Sequence, residues 1–259
     1  MPYTTINKST DNFKTFTFNG TGGSSTTGVG FTPDMFIHKN RGNNQAWGVI
    51  DVVRGNGNYL GTNSSNAELS DVGNYGIATD GYTFPHADQF FNSGNMVYYN
   101  WKAGTSSGIS GGTITPSAYS INTTSGFGIY KYTGTGSAGT IAHGLGAVPA
   151  MIMVKPTNTT GDWYIYHKSL GNSTSIRLNL TSVSYTSANW YSTTPTNNLF
   201  SLRAGGDVNT SGTTYIAYVF TEKTGYSAIN NYTLNNNNNN VFVYTGFKPK
   251  FILIKNYDN

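Results

Sequence analysis

Gly30-Phe31-Thr32-Pro33-Asp34-Met35-Phe36-Ile37-His38-Lys39 decides the fold, because the chain writes it three times. It returns as Gly146-Ala147-Val148-Pro149-Ala150-Met151-Ile152-Met153-Val154-Lys155 and as Gly246-Phe247-Lys248-Pro249-Lys250-Phe251-Ile252-Leu253-Ile254-Lys255. Each copy reads Gly-x-x-Pro-x, four apolar or near-apolar residues, then Lys, with the prolines 116 and then 100 positions apart. Upstream of each lies an aromatic stretch ending in Thr-Gly or a near equivalent: Phe16-Thr17-Phe18-Asn19-Gly20, Tyr130-Lys131-Tyr132-Thr133-Gly134 and Phe242-Val243-Tyr244-Thr245-Gly246. Two copies place Trp eight residues after the Lys, at Trp47 and Trp163. Coincidence of several features at one offset is the mark of a repeated structural unit.

The unit reads as β-structure. Phe16 and Phe18, like Tyr130 and Tyr132, alternate with Thr or Lys, the period of a half-buried strand. Pro at the head of the next strand costs no ladder hydrogen bond. Met35–His38 and Met151–Val154 are short continuous apolar runs, consistent with central strands covered on both faces. Aromatic strands close each unit, at Met96–Trp101 and Tyr215–Phe220. Phe18, Phe36, Trp101, Tyr132, Ile152 and Phe220 fall on the apolar phase and are expected in cores. No window keeps a clean helical period. The expected fold is all-β, with tandem antiparallel β-sandwich modules of jelly-roll or lectin-like type. Module one spans 1–104, a Ser/Gly/Thr-rich linker and lead-in strand 105–125, module two 126–225, and an incomplete third module 226–259. Two strands alone are marginal in water, so the third copy is expected to add a strand to a sheet, in its own chain or a neighbour, through Phe251, Ile252, Leu253 and Ile254. Asn235–Asn240 reads as a low-complexity loop.

Composition narrows the function. Only 10% of the 259 residues are charged, against about 25% in an average chain. Hydroxyls, amides and 19 Tyr supply the polarity instead, a surface suited to sugars and neighbouring subunits. The 15 basic residues are scattered, without the clustering that nucleic-acid binding requires, so no nucleic-acid partner is expected. Cysteine is absent, which removes disulfides, Cys-based zinc sites and thiol nucleophiles. Met1-Pro2-Tyr3-Thr4 shows no signal-peptide pattern, and no apolar run reaches the ~20 residues that span a bilayer.

Catalysis needs clustered titratable groups, and the sequence offers no recurring carboxylate pair, Gly-x-Ser-x-Gly or His-Glu-x-x-His. In the repeat alignment Asp51 falls opposite His167, so no titratable role is duplicated. Gly20-Thr21-Gly22-Gly23 and Gly134-Thr135-Gly136 lie between strands and read as turns, since phosphate-cradling loops need a helix behind them. Asp207-Val208-Asn209 imitates the start of a calcium loop but lacks the distal Glu. No catalytic residue, metal site or cofactor is expected. Trp47 and Trp163, at equivalent positions, read as core or inter-sheet anchors. Trp190 and Tyr191 lie in a polar stretch without a module-one counterpart. They are the candidate receptor-binding residues, with core packing as the alternative.

Several stretches resemble a known group of proteins: Trp101-Lys102-Ala103-Gly104, His143-Gly144-Leu145-Gly146, Asp162-Trp163-Tyr164-Ile165-Tyr166-His167, Tyr215-Ile216-Ala217-Tyr218 and Glu222-Lys223-Thr224-Gly225-Tyr226-Ser227. Together they are similar to repeat modules of marine bacteriophage tail-fibre-like and virion structural proteins, over nearly the whole chain. The resemblance implies a virion location, with other virion proteins and further copies of the chain as partners. Two readings stand: an adhesin of tail-fibre type that binds a host-surface glycan or protein, or a capsid-decoration or fibre-shaft protein with a structural role.

Overall fold

A computed structural model describes residues 4–23, 25–70, 75–86, 88, 90–234 and 241–258. The run Asn235–Asn240 lies outside the described residues. The chain is all-β, and its described residues form eighteen strands and one 3-10 turn at Ser9–Asp11.

Two large antiparallel sheets dominate. The first runs in the order β1 (Phe13–Thr21), β9 (Ser93–Trp101), β3 (Met35–Asn40), β4 (Gly48–Asp51), β5 (Asn58–Gly61) and β6 (Leu69–Ser70). The second runs β10 (Ala118–Asn122), β11 (Phe127–Thr133), β18 (Thr214–Phe220), β13 (Met151–Pro156), β14 (Tyr164–His167), β15 (Thr174–Arg177) and β16 (Tyr185–Thr186). Apart from the edge strand β10, the two orders are the same. Registers agree as well: Met35 lies opposite Trp101 and Asp51, and Met151 opposite Phe220 and His167. Small sheets accompany each half: β2 (Thr26–Thr27), β8 (Gly81–Thr83) and β7 (Gly76–Ala78) in the first, β12 (Gly139–Ala142) and β17 (Leu199–Leu202) in the second.

Strand alternation builds three cores. Along β9, Met96 and Tyr98 point to an aromatic core with Phe36, Tyr75, Tyr82 and Phe84, while Trp101 points the other way. Along β18, Tyr215, Ala217 and Val219 join the second-half core, and Ile216 and Tyr218 point away from it. The outward sets of both sheets meet in a middle core, where Met35, Val49 and Trp101 pack with Ile129, Met153, Trp163 and Ile216. Central strands are thus covered on both faces, which is why their sequences run apolar without a break. Of the residues expected inside, Phe36, Trp101, Tyr132 and Ile152 are buried, and Phe18 and Phe220 are half-buried at core margins.

The repeat's Lys and Trp acquire roles from this packing. Lys155 is buried and donates to the carbonyls of Asn66 at 2.7 Å, Pro156 at 3.2 Å and Ser65 at 3.3 Å, fastening the second half to a first-half loop. Burial lowers its pKa to about 8. Lys39 donates to the carbonyls of Asn40 and Asn43, and Lys255 to that of Leu180, so each copy's Lys ties down loop backbone. Trp163 is fully buried and donates from Nε1 to the Gly61 carbonyl at 2.8 Å, across the two halves. Its counterpart Trp47 is half-buried and stacks on Tyr99. The Ser/Gly-rich stretch after module one also lies against the fold: Thr105 bridges to Ile121, and Ile109 packs on the second-half core.

At the middle of the stack sits a buried ionic network. Asp51 accepts from Arg54 Nε at 2.6 Å, from the Tyr218 hydroxyl at 2.6 Å, and from the backbone amides of Val53 and Arg54. Arg54 also reaches Glu68 at 3.0 Å and the Val49 carbonyl at 2.9 Å. Burial alone lowers the Arg54 pKa, but Asp51, Tyr218 and Glu68 more than offset it and hold the guanidinium charged.

The third copy departs from expectation within its own chain. Described residues 241–258 form no strand. Phe251 instead inserts against the rings of Phe13, Tyr99 and Trp101, at centroid distances of 6.3, 4.9 and 5.2 Å. Burying one ring on that apolar margin holds the segment beside β1, where the Lys250 carbonyl accepts from Thr15 Oγ1 at 3.2 Å. Ile252, Leu253 and Ile254 are left exposed.

Candidate functional site

The outer edge of the second sheet carries an unusual group of side chains. Tyr164 on β14 lies opposite Arg177 on β15, and Ser175 on β15 opposite Tyr185 on β16. Alternation places all four on one face, beside the second-half core. The Arg177 guanidinium lies over the Tyr185 ring at 4.5 Å. Its Nε is 3.3 Å from Asp162 Oδ2, without the alignment of a hydrogen bond. Asp162 accepts from Asn179 Nδ2 at 2.8 Å, and Asn189 Nδ2 reaches Asp207 Oδ2 at 3.4 Å.

Electrostatics tie these residues together. Burial pushes the hydroxyls of Tyr164 and Tyr185 up, and the Asp207 carboxylate raises both further. Burial pulls Arg177 down, but Tyr185 and Asp162 more than compensate, so its pKa ends raised. Buried polar atoms are almost always hydrogen-bonded. Among the described residues, buried polar atoms without a well-aligned protein partner occur on His38, Ser125, Arg177, Tyr185 and Asn189, with looser contacts between Arg177 and Tyr185, Tyr185 and Ser187, and His38 and the Phe90 backbone. Three of those five residues belong to this one group.

The first half shows what the same topology does without it. Val154 lies opposite Tyr164 as His38 lies opposite Gly48, so Gly48 occupies the position of Tyr164, and Gly61, its partner on β5, that of Arg177. A Cβ at Gly48 would meet His38 Nε2 at 2.2 Å and Phe90 at 2.7 Å. The space is filled by the rings of His38, Phe90 and Phe91. Burial drives the His38 pKa down to about 3, so the ring is a neutral packing element. The fold therefore closes this position with rings and glycines, and the polar group of the second half answers to something other than topology.

A family described as a domain of unknown function, DUF7483, has a sequence model that matches residues 8–259. The chain belongs to this family. The DUF7483 match takes in both repeats and the tail, so the family unit is the doubled assembly. No curated protein and no solved structure matches the chain.

Beside the polar group runs the loop that carries the sequence-based candidates, and the structure separates the two. Trp190 is 1% exposed, donates to Ser175 Oγ at 3.0 Å and packs edge-on to Tyr166. It is a core residue, because its indole covers the strand end that the loop crosses. Tyr191 is 56% exposed, and it and Ser192 adopt left-handed backbone, with φ of 52° and 45°. Consecutive non-glycine residues in that region are held there by their surroundings, a feature that concentrates at binding sites.

Sequence reasoning missed Arg177, Asp162, Tyr185, Asn189 and Asp207, because they come from loops and short strands spread over 46 positions. The one available signal was the mismatch with Gly48 and Gly61 in the repeat alignment. Asp207 had drawn notice only for a calcium-like pattern. There, Asn209 ties the turn to Thr135, Ser137 and Arg203. Among the described residues, no three His, Cys, Asp or Glu side chains converge as metal ligands. Guanidinium, amide, phenol and carboxylate groups around an exposed aromatic loop form a set that hydrogen-bonds hydroxyls.

Proposed function

We propose that the chain is a non-enzymatic adhesive protein of a virion, which binds a host-surface glycan through the β14–β16 edge and the Tyr191 loop. One observation carries this reading: the polar side chains of Arg177, Tyr185 and Asn189 gather where the first half, in the same topology, is closed by rings. The virion context comes from the resemblance of the repeat modules. Support for a binding rather than a catalytic role comes from the four histidines, of which His38 and His167 lie on different strands and His86 and His143 on different loops. The test is a glycan array probed with the whole chain and with Arg177→Ala. Wild type is expected to bind a restricted glycan set, and the variant to lose at least about tenfold in affinity, the effect of deleting a charged hydrogen-bond donor. Uniform lack of binding by wild type would refute the reading.

A structural role in which copies of the chain contact one another is favoured by a separate observation. Ile252 and Ile254 are 69% and 65% exposed, while their counterparts Phe36, His38, Ile152 and Val154 are wholly buried. Natural sheets rarely leave such a strip uncovered. Light scattering of wild type and Ile252→Lys/Ile254→Lys tests this. Self-association in the first and a monomer in the second is expected, and identical masses would exclude it.

A further inference from the structure

We infer that the groove beside the Gly144–Gly146 turn is a second binding site, which takes the carboxylate of an acidic sugar unit such as a uronate. Both repeats build this turn, as Gly28-Val29-Gly30 in the first half and Gly144-Leu145-Gly146 in the second, with the middle residue buried and both glycines exposed. The four glycines have positive φ, at 104°, 94°, 64° and 68°. Turns of this kind gather backbone amides into anion-binding concavities. In the first half the concavity is filled from within: the Asp80 carboxylate accepts from Gly28 N at 3.2 Å and from Gly30 N.

The second half lacks that carboxylate. Asp80 stands immediately before β8, and Asn198 immediately before the corresponding strand β17. Their backbone carbonyls do the same work, accepting from Gly28 N at 3.1 Å and from His143 N at 3.0 Å. Their side chains differ: Asn198 is exposed and accepts from no turn amide. His143 Nδ1 accepts from Leu145 N at 3.2 Å, but among the described residues no group accepts from the Gly144 or Gly146 amide. Gly144 borders an open groove of about 390 Å³, together with Ile109, Ser110, Gly111, Asn198 and Leu199. That volume suits a small ligand, and a Cβ at Gly146 would meet nothing within 4 Å. Ile109 and Leu199 offer apolar surface to the C–H face of a sugar ring, and the Ser110 hydroxyl and Asn198 amide offer partners to its hydroxyls. None of these lining residues is acidic, so nothing in the groove wall repels a carboxylate. The inference goes beyond the β14–β16 reading and does not depend on it.

Calorimetric titration of the whole chain with alginate oligosaccharides, and with neutral mannan oligosaccharides of equal length, tests the inference. Wild type is expected to bind alginate at least about fivefold more tightly, because hydrogen bonds to an ionised acceptor are the stronger ones. Asn198→Asp places a carboxylate where Asp80 has one, so it should fill the turn from within and weaken alginate at least about tenfold. Asn197→Asp adds the same charge one residue away and should change the affinity less than about twofold, which separates occupancy from repulsion. Both positions are exposed, so both variants should keep the wild-type melting temperature. Equal affinity for the neutral sugar, equal losses in the two variants, or alginate affinity untouched by Asn198→Asp each overturns the inference. Tighter binding of an aspartate peptide than of alginate overturns the sugar assignment. Alginate binding lost in Arg177→Ala and kept in Asn198→Asp would move the ligand to the β14–β16 edge and overturn this site alone. No alginate binding by wild type overturns the inference outright, while binding of neutral glycans would leave the reading above standing.

Discussion

Asp51→Ala is expected to lower stability by about 3–5 kcal/mol, the cost of stranding a buried partner. The substitution leaves Arg54 in the middle core with Glu68 as its remaining counter-charge, and it removes the acceptor of the Tyr218 hydroxyl. Both side chains of the Asp51–Arg54 pair are inaccessible to solvent, so water cannot take over the lost contacts. Because Asp51 and Arg54 come from the first half and Tyr218 from the second, the damage falls on the joint between halves. Urea unfolding followed by tryptophan fluorescence reads this out, since Trp163 stacks on Tyr218. Asp51→Ala with Arg54→Met should recover part of the loss, because removing both charges removes the desolvated cation. A single variant as stable as wild type would show that the network contributes nothing.

Acidification from pH 7 to pH 4 should cost about 3 kcal/mol through His38 alone. Its pKa is near 6.5 in the unfolded chain and about 3 in the folded one. The unfolded state therefore binds the extra proton first as pH falls. Stability is fully present above about pH 6.5 and is lost progressively between that value and about pH 3. The ring is fully buried among Phe36, Phe90, Phe91 and Tyr98, and burial outweighs the Phe90 backbone contact that favours the charged form. Burial lowers His143 and His167 too, so they act in the same sense. Asp34 works against them near pH 4, because burial raises its pKa and its protonation favours the folded state. His38→Leu, close in volume and without charge, should flatten most of the acid limb. An unchanged acid midpoint in that variant would remove His38 from the account.

The architecture was legible because the repeat shows itself twice, in sequence and in packing demands. Met35–His38 and Met151–Val154 gave central strands with both faces covered, and Trp163 gave an anchor between sheets. What the repeat could not give is how the halves meet. Strand alternation says that Ile216 and Tyr218 share a face, but which sheet lies across from them depends on side chains far away in the chain, such as Asp51 and Arg54, 167 and 164 positions from Tyr218. At Trp190 the polar neighbours allow a receptor-binding role, but core packing is the favoured reading and the structure bears it out: the loop folds back and the indole packs on Tyr166 and Ser175. The Arg177 group was invisible for a related reason: no local pattern joins Asp162, Tyr185 and Asn189, and only the third dimension does.

Phe13 pairs with Trp101, so the chain enters and leaves the first half through adjacent, antiparallel strands. Tension applied between those two points loads the ladder hydrogen bonds one pair at a time, from the end inward. The rungs part in sequence, as in a zip, and never share the force as they would if the strands were pulled along their lengths. Such a half has the mechanics of a fuse: pulled at those points it yields early and by unravelling, and re-forms by closing the same rungs in reverse order.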